Sequence, residues 1–225
     1  MIKVLVVDDS AVVRKVLTED LNKQVDIEVV GTAMNPYVAR DKIVKLKPDV
    51  LTLDLEMPRM DGLSFLSKLM KHHPMPVVVV SSLTPKNSQN ALNALRLGAV
   101  EVICKPGSAY STQNITQDIV RAVRTASVAR FNTHSHAHIT KASGASPAVN
   151  EDLKLVHTTN KVIAIGSSTG GTRALETVLT ELPSNLPGIV IVQHMPPVFT
   201  KSFADRLNSL CRVEVKEAED GDYVG

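Results

Sequence analysis

Three aspartates stand at the ends of apolar segments of the sequence. Asp8 and Asp9 follow the run Ile2 to Val7, and Asp54 follows the run Val50 to Leu53. In a doubly wound parallel sheet, chemistry collects at the carboxyl ends of the strands, and in the order 2-1-3-4-5 the first and third strands are neighbours. The three carboxylates would then converge in one surface pocket. Close like charges need a counter-ion, and an all-oxygen site of this kind suits Mg²⁺.

A hydroxyl group and an ammonium group end two further apolar segments. Ser81 closes the fourth segment and Lys105 closes the fifth. A carboxylate nucleophile, a divalent cation, a cationic side chain and a hydroxyl donor are the components that phosphoryl transfer to an aspartate needs. The alternative is that an aspartate after a strand only caps the next helix. Four matched strand ends favour the phosphoryl-transfer interpretation.

A second candidate site centres on Ser168 in the segment Gly-Ser-Ser-Thr-Gly, residues 166–170. The segment follows an apolar strand and precedes a predicted helix, and this G-x-S-x-G arrangement presents its central serine on a sharp turn. Backbone N–H groups at the start of that helix, near Thr172, can stabilise an oxyanion. A phosphate-binding loop and a purely structural loop are the alternatives. The segment lacks GxGxxG and GK[ST], which disfavours a nucleotide site.

His194 distinguishes these interpretations of the serine loop. It ends the next predicted strand, in Val190-Ile-Val-Gln-His-Met-Pro-Pro197. Successive parallel strands are usually neighbours, so its imidazole could reach the hydroxyl of Ser168 as a general base. A lone histidine would more often be structural. The pair favours a hydrolase.

The elements that must position these residues follow an α/β pattern. Five mostly continuous apolar runs are typical of strands that are covered on both faces, and helical spacing recurs between them after Ser10, a plausible N-cap. This predicts a flavodoxin-like, doubly wound parallel sheet. The predicted strands of this first domain are Ile2 to Val7, Glu28 to Gly31, Val50 to Leu53, Val77 to Val80 and Val100 to Cys104.

The rest of the chain divides into a linker and a second, incomplete α/β domain. We predict a first domain at residues 1–125, a linker at 126–159 and the second domain at 160–225. The linker contains His134, His136 and His138, to which we assign no metal because no carboxylate or thiolate partner accompanies them. The second domain is predicted as strands at 162–165, 189–193 and 213–217 with helices at 172–182 and 199–210. Its end at an open sheet edge suggests a truncated domain.

Composition narrows the class of protein. With 225 residues, 44% hydrophobic and 21% charged, the chain has the composition of a globular protein. A formal net charge of +2 without a basic face disfavours nucleic-acid binding. The amino terminus reaches two aspartates after a few apolar residues, so we expect neither a signal peptide nor a membrane-embedded segment, and a cytoplasmic location.

The first domain resembles the response-regulator receiver family. The resemblance rests on Asp8-Asp9-Ser10, on Asp54-Leu-Glu-Met-Pro-Arg-Met-Asp-Gly62, on Ser81-Ser82 and on Lys105-Pro106. It implies that Asp54 accepts a phosphoryl group, and that Ser81 and Lys105 contact that group. The metal ligands that it implies are Asp8, Asp9, Asp54 and the backbone carbonyl of Glu56. Many receivers carry an aromatic residue where this chain has Val102, so coupling through an aromatic flip is not expected.

The second domain resembles the catalytic domain of the CheB family of chemotaxis methylesterases, through residues 166–171 and Gln193-His-Met-Pro-Pro197 placed after a receiver. The resemblance implies hydrolysis of glutamate methyl esters on chemoreceptors and deamidation of glutamines, without a cofactor for hydrolysis. It implies Ser168 as nucleophile, His194 as base and a chemotaxis histidine kinase as phosphodonor. It also implies that the unphosphorylated receiver covers the catalytic face.

The family completes its triad with a downstream aspartate, and no residue of this chain matches that motif. Asp205, Asp220 and Asp222 are not assigned to it. We therefore expect little or no esterase activity from this chain alone. The alternative is a non-catalytic receiver whose remnant esterase domain only binds receptors or the kinase.

Overall fold

The chain is described by a computed structural model that covers residues 1–57, 60–82, 85–105, 112–129 and 161–224. The three histidines of the predicted linker lie outside these residues. Among the helices that are described, none is both long enough and apolar enough to span a membrane.

Five parallel strands form the first sheet in the order β2-β1-β3-β4-β5. This confirms the predicted strand order. The strands are β1 Ile2–Val7, β2 Ile27–Ala33, β3 Val50–Leu53, β4 Val77–Ser81 and β5 Glu101–Cys104. Every residue of β3 and β4 is buried, as expected of central strands that helices cover on both faces.

Five helices alternate with these strands, and the sequence marks where several of them begin. Ser10, Asn35 and Asp61 each accept a hydrogen bond from a backbone N–H of the following helix, so that the first turn does not leave this donor unpaired. Pro36 fits the first turn of its helix because its position needs no N–H. The helices are α1 Ala11–Asn22, α2 Pro36–Leu46, α3 Gly62–His72, α4 Pro85–Leu97 and α5 Thr112–Ser127.

The sheet divides its apolar side chains between two hydrophobic cores. Leu5 and Val7 of β1 pack with α2, α3 and α4 on one face, whereas Val4 and Val6 pack with α1 and α5 on the other. This alternation is the two-residue period of a strand. The sheet is therefore held between two helical layers, and the carboxyl ends of its strands remain at one edge.

The carboxyl-terminal part of the chain forms a smaller α/β unit. Its elements are β6 Ile163–Ser167, α6 Gly171–Glu181, β7 Ile189–Gln193 and α7 Pro197–Leu210, and the two strands pair in parallel. The prediction of a strand at residues 213–217 is wrong, because this segment is irregular. The N–H of Val215 donates to the side chain of Asn208 at 2.9 Å.

The two units are in contact through α4. Leu92 of α4 is buried in an apolar cluster with Leu175 and Leu179 of α6 and with Phe203 and Leu207 of α7. Burial of aliphatic and aromatic side chains of this size stabilises a contact by about 1.5–3 kcal/mol per residue before entropic costs. The contact joins a helix of the receiver-like unit to both helices of the second unit.

We predict that Gly62→Ala destabilises the first unit. An added Cβ would lie 2.4 Å from the carbonyl oxygen of Asp54 and 2.6 Å from the Cα of Leu55, so the main chain would have to move. Overpacking of this kind costs about 1–3 kcal/mol. Ser67→Ala is the matched control, since Ser67 is exposed on the same helix. Equal unfolding midpoints in urea for the two variants would contradict the prediction.

Candidate functional site

The carboxyl edge of the first sheet brings the three predicted aspartates together. One carboxylate oxygen from each of Asp8, Asp9 and Asp54 lies within 4.8 Å of the others. Asp8 and Asp54 are buried, whereas Asp9 is exposed. Carboxylate oxygens at this spacing, open to solvent on one side, form a donor set that fits a hard divalent cation with bound water.

Lys105 provides the positive charge beside this cluster. Its Nζ lies 2.7 Å from Oδ2 of Asp54 and 3.1 Å from Oδ2 of Asp8. The backbone N–H of Lys105 donates to the carbonyl of Ser81 at 2.9 Å, so the pairing of β4 with β5 fixes the base of the lysine. The hydroxyl of Ser81 is buried and donates a long hydrogen bond, 3.5 Å, to the carbonyl of Ser82.

Burial and hydrogen bonding act on the pKa of Asp54 in opposite directions. Burial raises the pKa of the Asp54 carboxyl to about 6, although hydrogen bonds from Lys105 and from the N–H of Glu56 lower it. The negative charge of Asp8 raises this pKa further. For Lys105, burial lowers the ammonium pKa, but contact with Asp54 and Asp8 raises it more, so the net direction is upward. The cluster therefore holds more negative charge than one lysine balances.

Two supports of the acidic cluster were not predicted from the sequence. Nη1 of Arg14 donates to the carbonyls of Asp8 and Asp9 at 2.7 and 2.9 Å, which fixes the loop from α1. The side chain of Glu56, which had been assigned only a backbone role, accepts a hydrogen bond from the hydroxyl of Ser82 at 2.6 Å. The position of Arg14, one turn after the N-cap Ser10, could have indicated its contact with the loop. The contact between Ser82 and Glu56 joins two loops that are distant in sequence, so no local pattern predicts it.

The second unit places Ser168 beside His194. Oγ of Ser168 lies 3.5 Å from Nδ1 of His194, and both residues are exposed. The proximity follows from strand pairing, since Ser167 lies opposite Gln193 and the N–H of His194 donates to the carbonyl of Ser167 at 2.9 Å. The arrangement can transfer a proton from the serine hydroxyl to the imidazole.

A receiver residue lies directly beside the serine loop. Oε2 of Glu101 accepts a hydrogen bond from the hydroxyl of Thr169 at 2.8 Å, and its Oε1 accepts one from Nη2 of Arg121 at 2.6 Å. Thr169 is the residue after Ser168. Glu101 could not be predicted from the sequence, because its contact joins the two units and no local pattern encodes it.

Residues of both units line the narrow cleft around Ser168. A cleft of about 30 Å³ is lined by Ser168, His194 and neighbouring residues of the second unit, and by Leu92, Glu101 and Val102 of the first. This volume holds about two water molecules. The Val102 side chain is buried here rather than exposed at the surface.

Two of the aspartates that were not assigned to a triad have other partners. The carboxylate of Asp205 lies 3.1 Å from Nζ of Lys201. Asp222 accepts from Nζ of Lys216 and from the N–H of Glu219, both at 2.7 Å.

Family models match both parts of the chain. Residues 4–117 match the response regulator receiver domain, and residues 163–225 match the CheB methylesterase family. Among solved structures, the response regulator domain of Thermotoga maritima CheB is similar to 58% of this chain and to 99% of its own length, with a TM-score of 0.53 and 40% sequence identity. The chain therefore belongs to the response regulator family, in its CheB branch.

Curated relatives have the same two parts in a longer chain. A protein-glutamate methylesterase/protein-glutamine glutaminase of Syntrophus aciditrophicus is 57% identical over 99% of this chain, and one of Geobacter metallireducens is 51% identical over 99%. This chain spans 64% and 62% of their respective lengths. The resemblance to the CheB family is thereby confirmed over both units.

We predict that Asp54→Asn stabilises the receiver at pH 7 without divalent cations. The folded-state pKa of about 6 exceeds the ordinary value of 3.8, so the folded protein keeps a proton between these pH values that the unfolded chain releases. Stability from this group is present below pH 3.8 and is lost as the pH rises through 6. Removing the charge should raise the free energy of unfolding by up to about 3 kcal/mol.

Thermal unfolding at pH 7 and pH 5, with and without Mg²⁺, measures this effect. The advantage of the Asn variant should shrink at pH 5, and Mg²⁺ should stabilise the parent more than the variant. Asp41→Asn is the control, since Asp41 is exposed on α2. A parent that is more stable than the Asp54→Asn variant at pH 7 without Mg²⁺ would refute the electrostatic argument.

Proposed function

We propose that this chain is the phosphorylation-regulated part of a protein-glutamate methylesterase and protein-glutamine glutaminase of chemotaxis. The observation that carries the proposal is the contact between Ser168 and His194 in a cleft whose other wall is the receiver. A serine and imidazole pair supports acyl transfer, and the receiver wall gives a physical route for control by Asp54. The names of the relatives supply the substrate class.

In the receiver, Asp54 is the proposed phosphoacceptor and a chemotaxis histidine kinase is the proposed donor. Asp8, Asp9 and Asp54, with the backbone carbonyl of Glu56, would hold Mg²⁺, which neutralises charge on the phosphoryl group when bound. Lys105 contacts the carboxylate that reacts and would remain paired with the phosphoryl oxygens. The proposed role of the Ser81 hydroxyl is to donate to the same oxygens after the loop moves.

In the second unit, Ser168 is the proposed nucleophile toward the γ-carbonyl of a glutamate methyl ester on a chemoreceptor. His194 takes the serine proton and returns it to the leaving group, which departs as methanol from the ester or as ammonia when the substrate is a glutamine. Backbone N–H groups at the start of α6 support the developing oxyanion. Water then releases the acyl group, and no cofactor is needed for this step.

Control of the esterase rests, in this proposal, on the receiver wall of the cleft. Residues of α4 and of the start of β5 line the cleft beside Ser168, so in this proposal they withdraw when the substrate enters. The bond between Glu101 and Thr169 would break in that movement. The alternative function, a non-catalytic receiver with a remnant esterase unit, predicts no chemistry at Ser168.

The first experiment tests the phosphoacceptor. Incubation with a small phosphodonor and Mg²⁺ should label the chain at Asp54, because the nucleophile, the cation ligands and Lys105 are all present. Asp54→Asn should abolish labelling, and a chelator should prevent it. Asp41→Asn serves as control for a carboxylate outside the site. Full labelling of the Asp54→Asn variant, or labelling that a chelator leaves unchanged, would disprove the assignment.

The second experiment measures methanol release from methylated receptor. The 225-residue chain should release little, whereas the same chain extended by the segment that its relatives carry should be active and should lose activity in Ser168→Ala. Loss of the acid partner of the imidazole alone can cost about 10⁴-fold in turnover. In the extended chain, Glu101→Ala should raise the rate of methanol release in the absence of phosphodonor, because it removes the hydrogen bond to Thr169. Robust turnover by the shorter chain that Ser168→Ala removes would show that a residue already present supplies the acid.

A further inference from the structure

The side chain of Gln193 connects the serine loop to the strand that ends at His194. Its Oε1 accepts a hydrogen bond from Oγ of Ser167 at 2.5 Å. Its Nε2 donates to the carbonyl of Ser168 at 2.9 Å and to the carbonyl of His194 at 3.0 Å. One amide therefore holds the main chain of both reacting residues, using one acceptor and two donors.

The start of α6 is shaped around this amide. A Cβ added to Gly171 would lie 2.1 Å from Oε1 of Gln193 and 2.8 Å from Cβ of Ser167. The N–H of Gly171 donates to the carbonyl of Ser168 at 2.7 Å. The carbonyl of Ser168 thus accepts hydrogen bonds from two directions, and a larger residue at Gly171 would displace one of the donors.

The reacting side chains need such support because packing does not supply it. Ser168 and His194 are exposed, and their 3.5 Å separation is at the long limit of a hydrogen bond. Two exposed side chains keep their relative orientation only if their backbones are fixed, and small misplacements at a reacting pair cost large factors in rate. The amide of Gln193 fixes both backbones at once.

We propose that Gln193 is a positioning residue that sets the distance between Ser168 and His194. The proposal rests on the proposed function, in which these two residues form the hydrolytic pair. The competing explanation is that Gln193 only strengthens the pairing of β6 with β7. The two explanations differ in one respect, because a purely structural residue would change stability without changing the communication between the serine and the imidazole.

Two variants remove the proposed effect by different routes. Gln193→Met keeps the approximate side-chain volume but loses all three hydrogen bonds. Gly171→Ala retains the glutamine, but the added Cβ displaces its side-chain amide. Ser167→Ala is the matched control, since it removes one partner of the amide while both Nε2 hydrogen bonds remain. If Gln193→Met does not fold, Gly171→Ala alone carries the test. Circular dichroism identifies the temperature at which each variant is folded.

The first measurement is the ¹⁵N chemical shift of the His194 ring by NMR in the 225-residue chain. Ser168→Ala should shift the Nδ1 resonance in the parent and in Ser167→Ala, because the hydroxyl contacts Nδ1. The same substitution should produce no shift in the Gln193→Met or Gly171→Ala background. A Ser168→Ala shift of equal size in all four backgrounds would overturn the proposal.

The second measurement is the rate at which a small fluorophosphonate labels Ser168. In this reaction Oγ bonds to phosphorus, fluoride leaves, and His194 takes the serine proton. We expect Gln193→Met and Gly171→Ala to label about 10- to 100-fold more slowly than the parent, and Ser167→Ala within about threefold of it. If Gln193→Met and Gly171→Ala label as fast as the parent while His194→Gln labels more slowly, only the role of Gln193 is refuted. Unchanged labelling in His194→Gln would refute the hydrolytic pair and the positioning role together.

Discussion

Two carboxylates buried side by side impose the main electrostatic constraint on the receiver. Asp8 and Asp54 lie at the ends of neighbouring parallel strands, so the pairing of the sheet holds them together whether or not a cation is present. Burial of unbalanced charge is costly, and Lys105 offsets only part of it. The raised pKa of Asp54, about 6, expresses the remainder. A bound cation, or protonation of Asp54, that neutralises this charge would therefore stabilise the folded receiver.

The parts of the structure that the sequence predicted are those encoded by local periodicity. Apolar runs predicted the strands, and residues directly after them predicted the acidic cluster and the serine and histidine pair. Arg14, Glu101 and Gln193 were missed because their partners are main-chain carbonyls or residues of the other unit, which spacing does not encode. The alternation around Val215 predicted a strand, but a strand also needs a neighbour, and that segment has none among the described residues.

The serine site depends on both units in different ways. Within the second unit, strand pairing and the start of α6 set the positions of Ser168 and His194. Across the contact, Leu92 packs against apolar residues of α6 and α7, and Glu101 accepts a hydrogen bond from Thr169, the neighbour of Ser168. The first set of contacts is local and polar, whereas the second is mainly apolar. A change in α4 can therefore alter access to the serine without altering the distance between the serine and the imidazole.

Strand β5 carries a contact of each site at its two ends. Glu101 begins the strand and touches the serine loop, while Lys105 follows its last residue and touches Asp54. At about 3.3 Å per residue, four residues place these two points roughly 13 Å apart along one extended segment. The strand is paired with β4 along its whole length, so one continuous, hydrogen-bonded segment of main chain joins the serine loop to the acidic cluster.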